Sequence, residues 1–199
     1  MSWNKYYIIV TRQEGVTPEE VRDRLGLQGY AVQGRVNLWE TNKPETLFIG
    51  QYRDCILIVD PEMPFQFFLP EPSPAEQLFE RTFPDSEIAV LIENGTVNLF
   101  GFAIIKKGKR VRMKDGCDGD IYHDIGKPLP EELEISNSII FPESELEEMR
   151  EGSDEDEVAR MIDFEASWRT TNALGKRYFG VPLGSLDGNE IMLTRFVKP

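Results

Sequence analysis

The residues best suited to chemistry lie between Asp115 and Asp124, where four aspartates accompany the only histidine of the chain. Carboxylates and an imidazole are ligands for metal ions, and a histidine can serve as a general base towards a serine or a cysteine such as Cys117. The weak candidates for metal ligands are, in chain order, Asp118, Asp120, His123 and Asp124. A hydrolase or transferase using the Asp115–Asp124 loop is therefore one alternative for the function.

The spacing of these residues argues against a metal site. A calcium-binding loop needs oxygen ligands at alternating positions, a glycine at the sixth and a glutamate at the twelfth. Counted from Asp118, the sixth residue is His123 and the twelfth is Leu129. A transition metal needs further nitrogen or sulfur ligands, and the chain has one histidine and two cysteines. We therefore predict no metal, no cofactor and an ordinary polar turn in this segment.

Motifs that would support an enzyme are absent from the sequence. There is no nucleophile elbow that would present a serine to His123, and no glycine-rich loop of the GxxxxGK[ST] or GxGxxG type. With 35 acidic residues in the chain, paired carboxylates occur by chance and discriminate nothing. The sequence therefore favours a non-enzymatic protein.

Residues 106–114 are strongly basic and suggest nucleic-acid binding as a second alternative. The six cations are Lys106, Lys107, Lys109, Arg110, Arg112 and Lys114. No aromatic residue is interleaved among them, and the net charge of −13 repels phosphate backbones. We predict instead that the cations lie on the solvent-exposed face of a strand, opposite the buried Val111 and Met113. There they protect a sheet edge or pair with acids of the same chain.

The segment from Glu143 to Glu157 carries nine acids and one arginine. Because internal neutralisation would require many of the 22 cations, part of this segment should remain unpaired and attract a basic partner. The main hypothesis is a protein-interaction module with an acidic surface, which could neutralise a basic toxin; the simpler alternative is that the acids only keep the protein soluble. The candidate partner-binding residues are Glu145, Glu147, Glu148, Asp154 and Asp156. The sequence does not indicate an oligomeric state.

Apolar and β-branched runs predict most of the sheet. Strands are expected at residues 3–11, 35–41, 45–50, 53–60, 87–93, 96–106, 109–114 and 190–197. Asn94-Gly95 predicts a type I′ hairpin and Lys107-Gly108 a second reversal. In the central strand 96–106, one face should carry Phe100, Phe102 and Ile104, and the other Leu99, Ala103 and Ile105.

Local signals also predict the helices. Thr17-Pro-Glu-Glu20 and Ser73-Pro-Ala-Glu76 have the pattern of capping boxes. One short helix should follow Glu143 and break at Gly152-Ser153, and Ser153 should cap a longer helix that ends near Phe179. The phenylalanine-rich residues 63–74 are expected to form a loop over the core, with an exposed partner-binding patch as the alternative.

These elements predict one α+β domain over residues 1–199, with a mixed or antiparallel central sheet, a hairpin-rich middle and helices packed on it. The alternative is a C-terminal helical extension over residues 142–199. Forty per cent of the residues are apolar, which suffices for a core. The sequence has neither an 18-residue apolar run nor a signal-peptide pattern, so we expect no membrane association, a cytoplasmic location and reduced cysteines.

A resemblance to a known group rests on three features: GFAIIKKGKRVR at 101–112, a glycine- and aspartate-rich turn with Gly119, and DIGKPLPEE at 124–132. This pattern resembles a group of uncharacterised bacterial cytosolic proteins, with weaker similarity upstream. The resemblance implies a bacterial cytosolic origin and supplies no catalytic residues. It does not extend to residues 154–179 or to the last strand.

Overall fold

The structure, a computed structural model, describes residues 4–41 and 43–198. The strands are β1 (Lys5–Val10), β2 (Ala31–Asn37), β3 (Thr46–Tyr52), β4 (Cys55–Val59), β5 (Glu87–Asn94), β6 (Leu99–Lys106), β7 (Lys109–Cys117), β8 (Asp120–Gly126) and β9 (Met192–Val197). They form one sheet in the order β2-β9-β3-β4-β1-β5-β6-β7-β8. All the pairings are antiparallel. Together with the helices below, this sheet confirms the predicted α+β class.

Five α-helices accompany the sheet. They are α1 (Pro18–Arg24), α2 (Pro74–Thr82), α3 (Pro130–Ser136), α4 (Glu143–Gly152) and α5 (Glu155–Phe179) within the described ranges. Helix α5 packs on one face of the sheet through Leu174, Tyr178 and Phe179. Helices α1 and α2 cover the other face, for example through Val21 and Phe79. The sheet is therefore buried between two helical layers, which explains why its middle strands are apolar on both faces.

Strand β6 confirms the predicted division of its side chains. Phe100, Phe102 and Ile104 pack in the cluster beneath α5. Ala103 and Ile105 pack in the opposite cluster, with Leu99 at its margin. The period-two alternation of a strand is sufficient to assign these faces from sequence.

The turns on either side of β6 differ from each other. Asn94 pairs with Leu99, so a four-residue turn over 95–98 joins β5 to β6, and its last residue, Asn98, has a φ of 45°. The predicted type I′ hairpin at Asn94-Gly95 is wrong, because neither residue adopts the positive φ that this turn requires. Lys107 and Gly108 have φ values of 51° and 66°, so the second predicted reversal is the two-residue turn.

The helix starts follow their predicted caps with two corrections. Thr17 and Glu20 form the complete capping box at α1. At α2, Ser73 accepts from the Glu76 amide, but the Glu76 side chain bonds Arg110 instead of returning to the cap. Asp154, one residue later than predicted, caps α5 through the Glu157 amide.

Several segments depart from the sequence predictions. The predicted strand 35–41 is β2 followed by a 3₁₀ helix at Leu38–Glu40. The predicted first strand is β1, while Trp3 lies outside the described residues. Strand β8 and helix α3 were not predicted, because residues 115–136 were expected to form turns. The loop over the core is confirmed, since Phe67 and Phe68 are buried there.

The position of β9 bears on the domain organisation. This strand lies between β2 and β3, although it follows the helical residues 143–179 in the chain. Residues 142–199, the possible C-terminal extension, therefore contain β9, a strand of the same nine-stranded sheet. That residues 1–199 form one domain stays a prediction. None of the described helices is long and apolar enough to cross a membrane.

Candidate functional site

The four weak candidates for metal ligands do not share one location. Asp118 occupies the two-residue turn with Gly119 (φ 53° and 93°) and accepts a hydrogen bond from Asn98 Nδ2 at 3.3 Å. Asp120 begins β8 and is exposed. The predicted polar turn therefore covers two residues only, and the rest of the segment is a strand. Among residues 4–41 and 43–198, no group of three or more His, Cys, Asp and Glu is arranged to hold a metal ion.

His123 contacts Asp115, the opposite residue on β7. Its Nδ1 lies 2.8 Å from Asp115 Oδ1. Burial raises the pKa of the Asp115 carboxyl, and the hydrogen bond and charge of His123 partly oppose that rise. Cys117 donates to the Val97 carbonyl at 2.9 Å. In the described contacts His123 bonds Asp115, and no serine or cysteine side chain is within hydrogen-bond distance of its ring.

Strand β7, which carries the basic residues, is not a solvent-exposed surface. Arg112 and Lys114 are buried, whereas Val111, the predicted buried residue, is exposed. The predicted solvent-exposed face is therefore wrong, and of the two residues predicted to be buried only Met113 is. The prediction of an edge strand is also wrong, since β7 lies between β6 and β8.

Acidic partners within the chain explain how these cations are buried. Arg112 donates to Asp124 Oδ1 at 2.5 Å and to both carboxylate oxygens of Glu132 at 2.6 and 2.8 Å. Lys114 Nζ lies 2.7 Å from Asp163 Oδ1 and 3.3 Å from Asp124 Oδ2. Pairing in cis is therefore confirmed for the middle of the strand, although the acids come from β8, α3 and α5 and not from Glu143–Glu157.

The pKa shifts in this network follow from the pairing. Burial acts to lower the pKa of Arg112, but the hydrogen bonds that it donates to Glu132 and Asp124 raise the pKa above its ordinary value. Burial acts to raise the pKa of Asp124, but the nearby cations Arg112 and Lys114 lower it by more. The pKa of Asp124 is therefore below its ordinary value. Because these charges neutralise each other, β7 presents no free cationic face to a phosphate backbone. Of the six cations, Lys107 and Lys109 are exposed and form no ion pair within the described residues, so the nucleic-acid alternative loses most of the surface on which it depended.

The acidic segment, in contrast, faces solvent. All nine acids between Glu143 and Glu157 are exposed, including the five candidate partner-binding residues. Within the described chain, one of these nine carboxylates forms an ion pair, Glu143 with Arg150 at 3.0 Å. We call this stretch, residues 143–157, the acidic surface.

Apolar side chains border the acidic surface in the sequence. Ile139 is 81% exposed, and Met161 is also exposed. The backbone at Ile139 is held in place, because Arg169 donates to the carbonyls of Ile139 and Ile140 at 3.4 and 2.8 Å. Ile139 is therefore an exposed apolar side chain on a backbone that Arg169 holds in place.

Sequence reasoning missed a second group of charged residues around Glu87. Tyr178 Oη donates to Glu87 Oε1 at 2.5 Å, and Lys106 Nζ lies 2.7 Å from Oε2. Arg177 donates to Glu87 at 3.2 Å and also to Glu131. Burial acts to raise the pKa of Glu87, but the hydrogen bonds from Lys106 and Tyr178 outweigh it and the pKa is lowered. These partners lie up to 91 residues apart, and no sequence spacing joins them.

A comparison with known families gives one match. A model described as "Family of unknown function (DUF6928)" matches residues 17–138, well over half of the chain, and this range includes the 101–132 pattern. The resemblance to uncharacterised proteins is thereby confirmed, and the bacterial origin stays a prediction. No curated protein and no solved structure matches the chain.

Proposed function

The chain belongs to the family of unknown function DUF6928, and since that membership assigns no activity, we propose its function from its surface. The chain is a non-enzymatic, cytoplasmic protein-interaction module, and its acidic surface binds a basic protein. The free state of Cys55 and Cys117 supports a reducing compartment.

One observation carries this proposal: nine exposed acids with a single ion pair among them. At Arg112, Lys114 and Glu87, in contrast, acids and cations are paired closely. The acidic surface is thus a concentration of negative charge that the fold leaves uncompensated. Such a field raises the rate of encounter with a cationic partner and orients its approach.

The kind of partner follows from the same surface. Its binding face must be rich in lysine and arginine, and an apolar residue or pocket on it would receive Ile139. A basic toxin held in a neutralised complex is one protein of this kind. Long-range steering by charge, followed by burial of an apolar anchor, is a common division of roles at protein interfaces.

A pull-down with the immobilised full chain tests the proposal. The variant replaces the candidate residues with neutral amides: Glu145→Gln, Glu147→Gln, Glu148→Gln, Asp154→Asn and Asp156→Asn. Asparagine at 154 keeps a good helix cap. We expect the native chain to retain a basic protein at about 0.1 M salt and the variant to lose it. Retention should also weaken at about 1 M salt, where the Debye length falls from about 10 Å to about 3 Å.

A matched control separates the acidic surface from overall net charge. Five exposed acids elsewhere are neutralised in it: Glu14→Gln, Glu40→Gln, Glu45→Gln, Glu71→Gln and Glu190→Gln. This control has the same net charge as the first variant. We expect it to bind as the native chain does; equal loss in both variants, or retention by both, would contradict the proposal.

A further inference from the structure

A cleft opens at one end of four neighbouring strands in the middle of the sheet. Strands β1 and β6 end at the cleft, and β4 and β5 begin there. The end of α5 closes one side through Arg177 and Tyr178. The cavity has a volume of about 380 Å³, within the roughly 300–1,000 Å³ of small-molecule sites. A neighbouring cavity of about 400 Å³ shares Arg12, Asp85 and Lys107 with it.

Glu87 gives one wall of the cleft a fixed geometry. Its carboxylate is already engaged by Tyr178, Lys106 and Arg177, so it does not compete for a ligand as a free acid. Burial raises the pKa of the Tyr178 phenol well above its ordinary value, and the group stays protonated as a donor. Cys55 also lines the cleft, but burial raises the pKa of its thiol to about 12, and it is not a nucleophile there.

Two other cations line the cleft without any partner. In the part of the chain that the structure describes, the side chains of Arg12 and Lys107 form no hydrogen bond and no ion pair. Both residues have left-handed backbones, with φ values of 59° and 51°, which side-chain-bearing residues adopt rarely. Backbone bonds from Thr11 to Glu87 and from Gln13 to Asp54, each 3.0 Å, hold Arg12 in that conformation. Such conformations are concentrated at functional sites.

The charges lining the cleft determine the ligand class. They comprise four cations, Arg12, Lys106, Lys107 and Arg177, and three carboxylates, Asp54, Asp85 and Glu87. Lys106 is already paired with Glu87, and Arg177 with Glu87 and Glu131, so the cations that can receive a ligand are Arg12 and Lys107. Asp54 and Asp85 line the same cleft, and each further negative charge on a ligand adds repulsion from them, which favours one negative charge over a phosphate dianion.

We propose that this cleft binds a small-molecule monocarboxylate through Arg12 and Lys107. The guanidinium of Arg12 matches a carboxylate in geometry, because two parallel N–H groups reach its two oxygens. Lys107 adds a second charge from the turn between β6 and β7. The ligand body lies against the ring of Tyr178 and the deeper wall of the cavity. This site is separate from the acidic surface.

Amide NMR spectra of the ¹⁵N-labelled full chain test the proposal at constant ionic strength. Acetate, benzoate and inorganic phosphate are titrated separately. We expect acetate or benzoate to give saturable shifts at Arg12, Ser86, Glu87 and Lys107, with phosphate weaker. The double variant Arg12→Gln/Lys107→Gln should raise the Kd by about tenfold or more, as expected for the loss of ionic contacts.

Lys109→Gln is the matched control, since Lys109 is exposed beside the same turn but does not line the cleft. It should bind as the native chain does. Spectra of the native chain and the two variants should otherwise superimpose, because all the substituted side chains are exposed. The absence of saturable shifts with both carboxylates, tighter binding of phosphate, or unchanged binding by the double variant would overturn the proposal.

Discussion

The most deeply buried cation in the described chain is Arg112, which is 2% exposed. A guanidinium is stable in such a place only when its N–H groups have acceptors, and Glu132 receives two of them. The other acceptors are the carboxylate of Asp124, which is half exposed, and the uncharged carbonyls of Ile125 and Gly126. Glu132 therefore supplies most of the charge that permits Arg112 to be buried.

Replacing Glu132 should leave that guanidinium undercompensated. We expect Glu132→Ala to lower the free energy of unfolding by about 3 kcal/mol, the lower end for a broken buried pair. Glu134→Ala is the control on the same helix, because Glu134 is exposed; it should change stability by less than about 0.5 kcal/mol. Urea denaturation measures both. Equal effects of the two substitutions would show that the Arg112–Glu132 pair contributes nothing specific.

At the scale of the element, α5 is positioned by a glycine as well as by its apolar side chains. A Cβ atom at Gly175 would lie 2.5 Å from Leu183 N and 2.8 Å from Val181 O. The chain after the helix therefore folds back against Gly175 at a distance that excludes any side chain. The local sequence around Gly175 could not show that backbone atoms from the following segment cover it.

Gly175→Ala tests this close approach. Alanine favours a helix by about 1 kcal/mol over glycine, yet we expect a net loss of about 1–3 kcal/mol because backbone atoms must shift. Gly152→Ala, at the end of α4, is the control, because a Cβ there meets nothing within 4 Å. Thermal unfolding should show a lower Tm for the first and no decrease for the second. A rise in Tm for Gly175→Ala would contradict the packing.

The elements that could be predicted from sequence are those with local causes. The caps of α1 and α2, the reversal at Lys107-Gly108 and the two faces of β6 depend on residues a few positions apart. Strand β8 was missed because DIYHDIG lacks an apolar alternation, as suits a strand at the sheet edge. The buried state of Arg112 was missed because its acceptors come from other elements.

At the scale of the whole molecule, the acids differ in how far the fold compensates their charge. The nine acids of the acidic surface have one ion pair among them within the described residues. Glu87 is bound by cations and a phenol, and its pKa in the folded chain lies below its ordinary value of 4.5. Its contribution to stability is therefore present above that ordinary value and is lost as the pH falls through the folded value.

Glu87→Gln should consequently have a pH-dependent effect. We expect it to lower the free energy of unfolding by about 2 kcal/mol near neutral pH, where the charged hydrogen bonds are lost. The difference from the native chain should shrink as the pH is lowered to about 3. Denaturant titrations of both proteins over this range measure it. A difference that stays constant with pH would show that the ionised carboxylate is not what stabilises the cluster.

The insertion of β9 between β2 and β3 imposes an order on folding. Strands β2 and β3 both pair antiparallel with β9, so they run parallel to each other. A direct parallel pair would require a crossover of about a dozen residues or more, and the connection over residues 38–45 is too short for one. During synthesis β2 and β3 leave the ribosome long before residues 192–197. Until β9 is made, the edge of β3 that pairs with it has no native partner. Closing the sheet joins Thr46 to Val197, a contact of high sequence separation and so a slow one. We therefore expect the nascent chain to be most prone to aggregation, and to benefit most from a chaperone, before residues 192–197 are made.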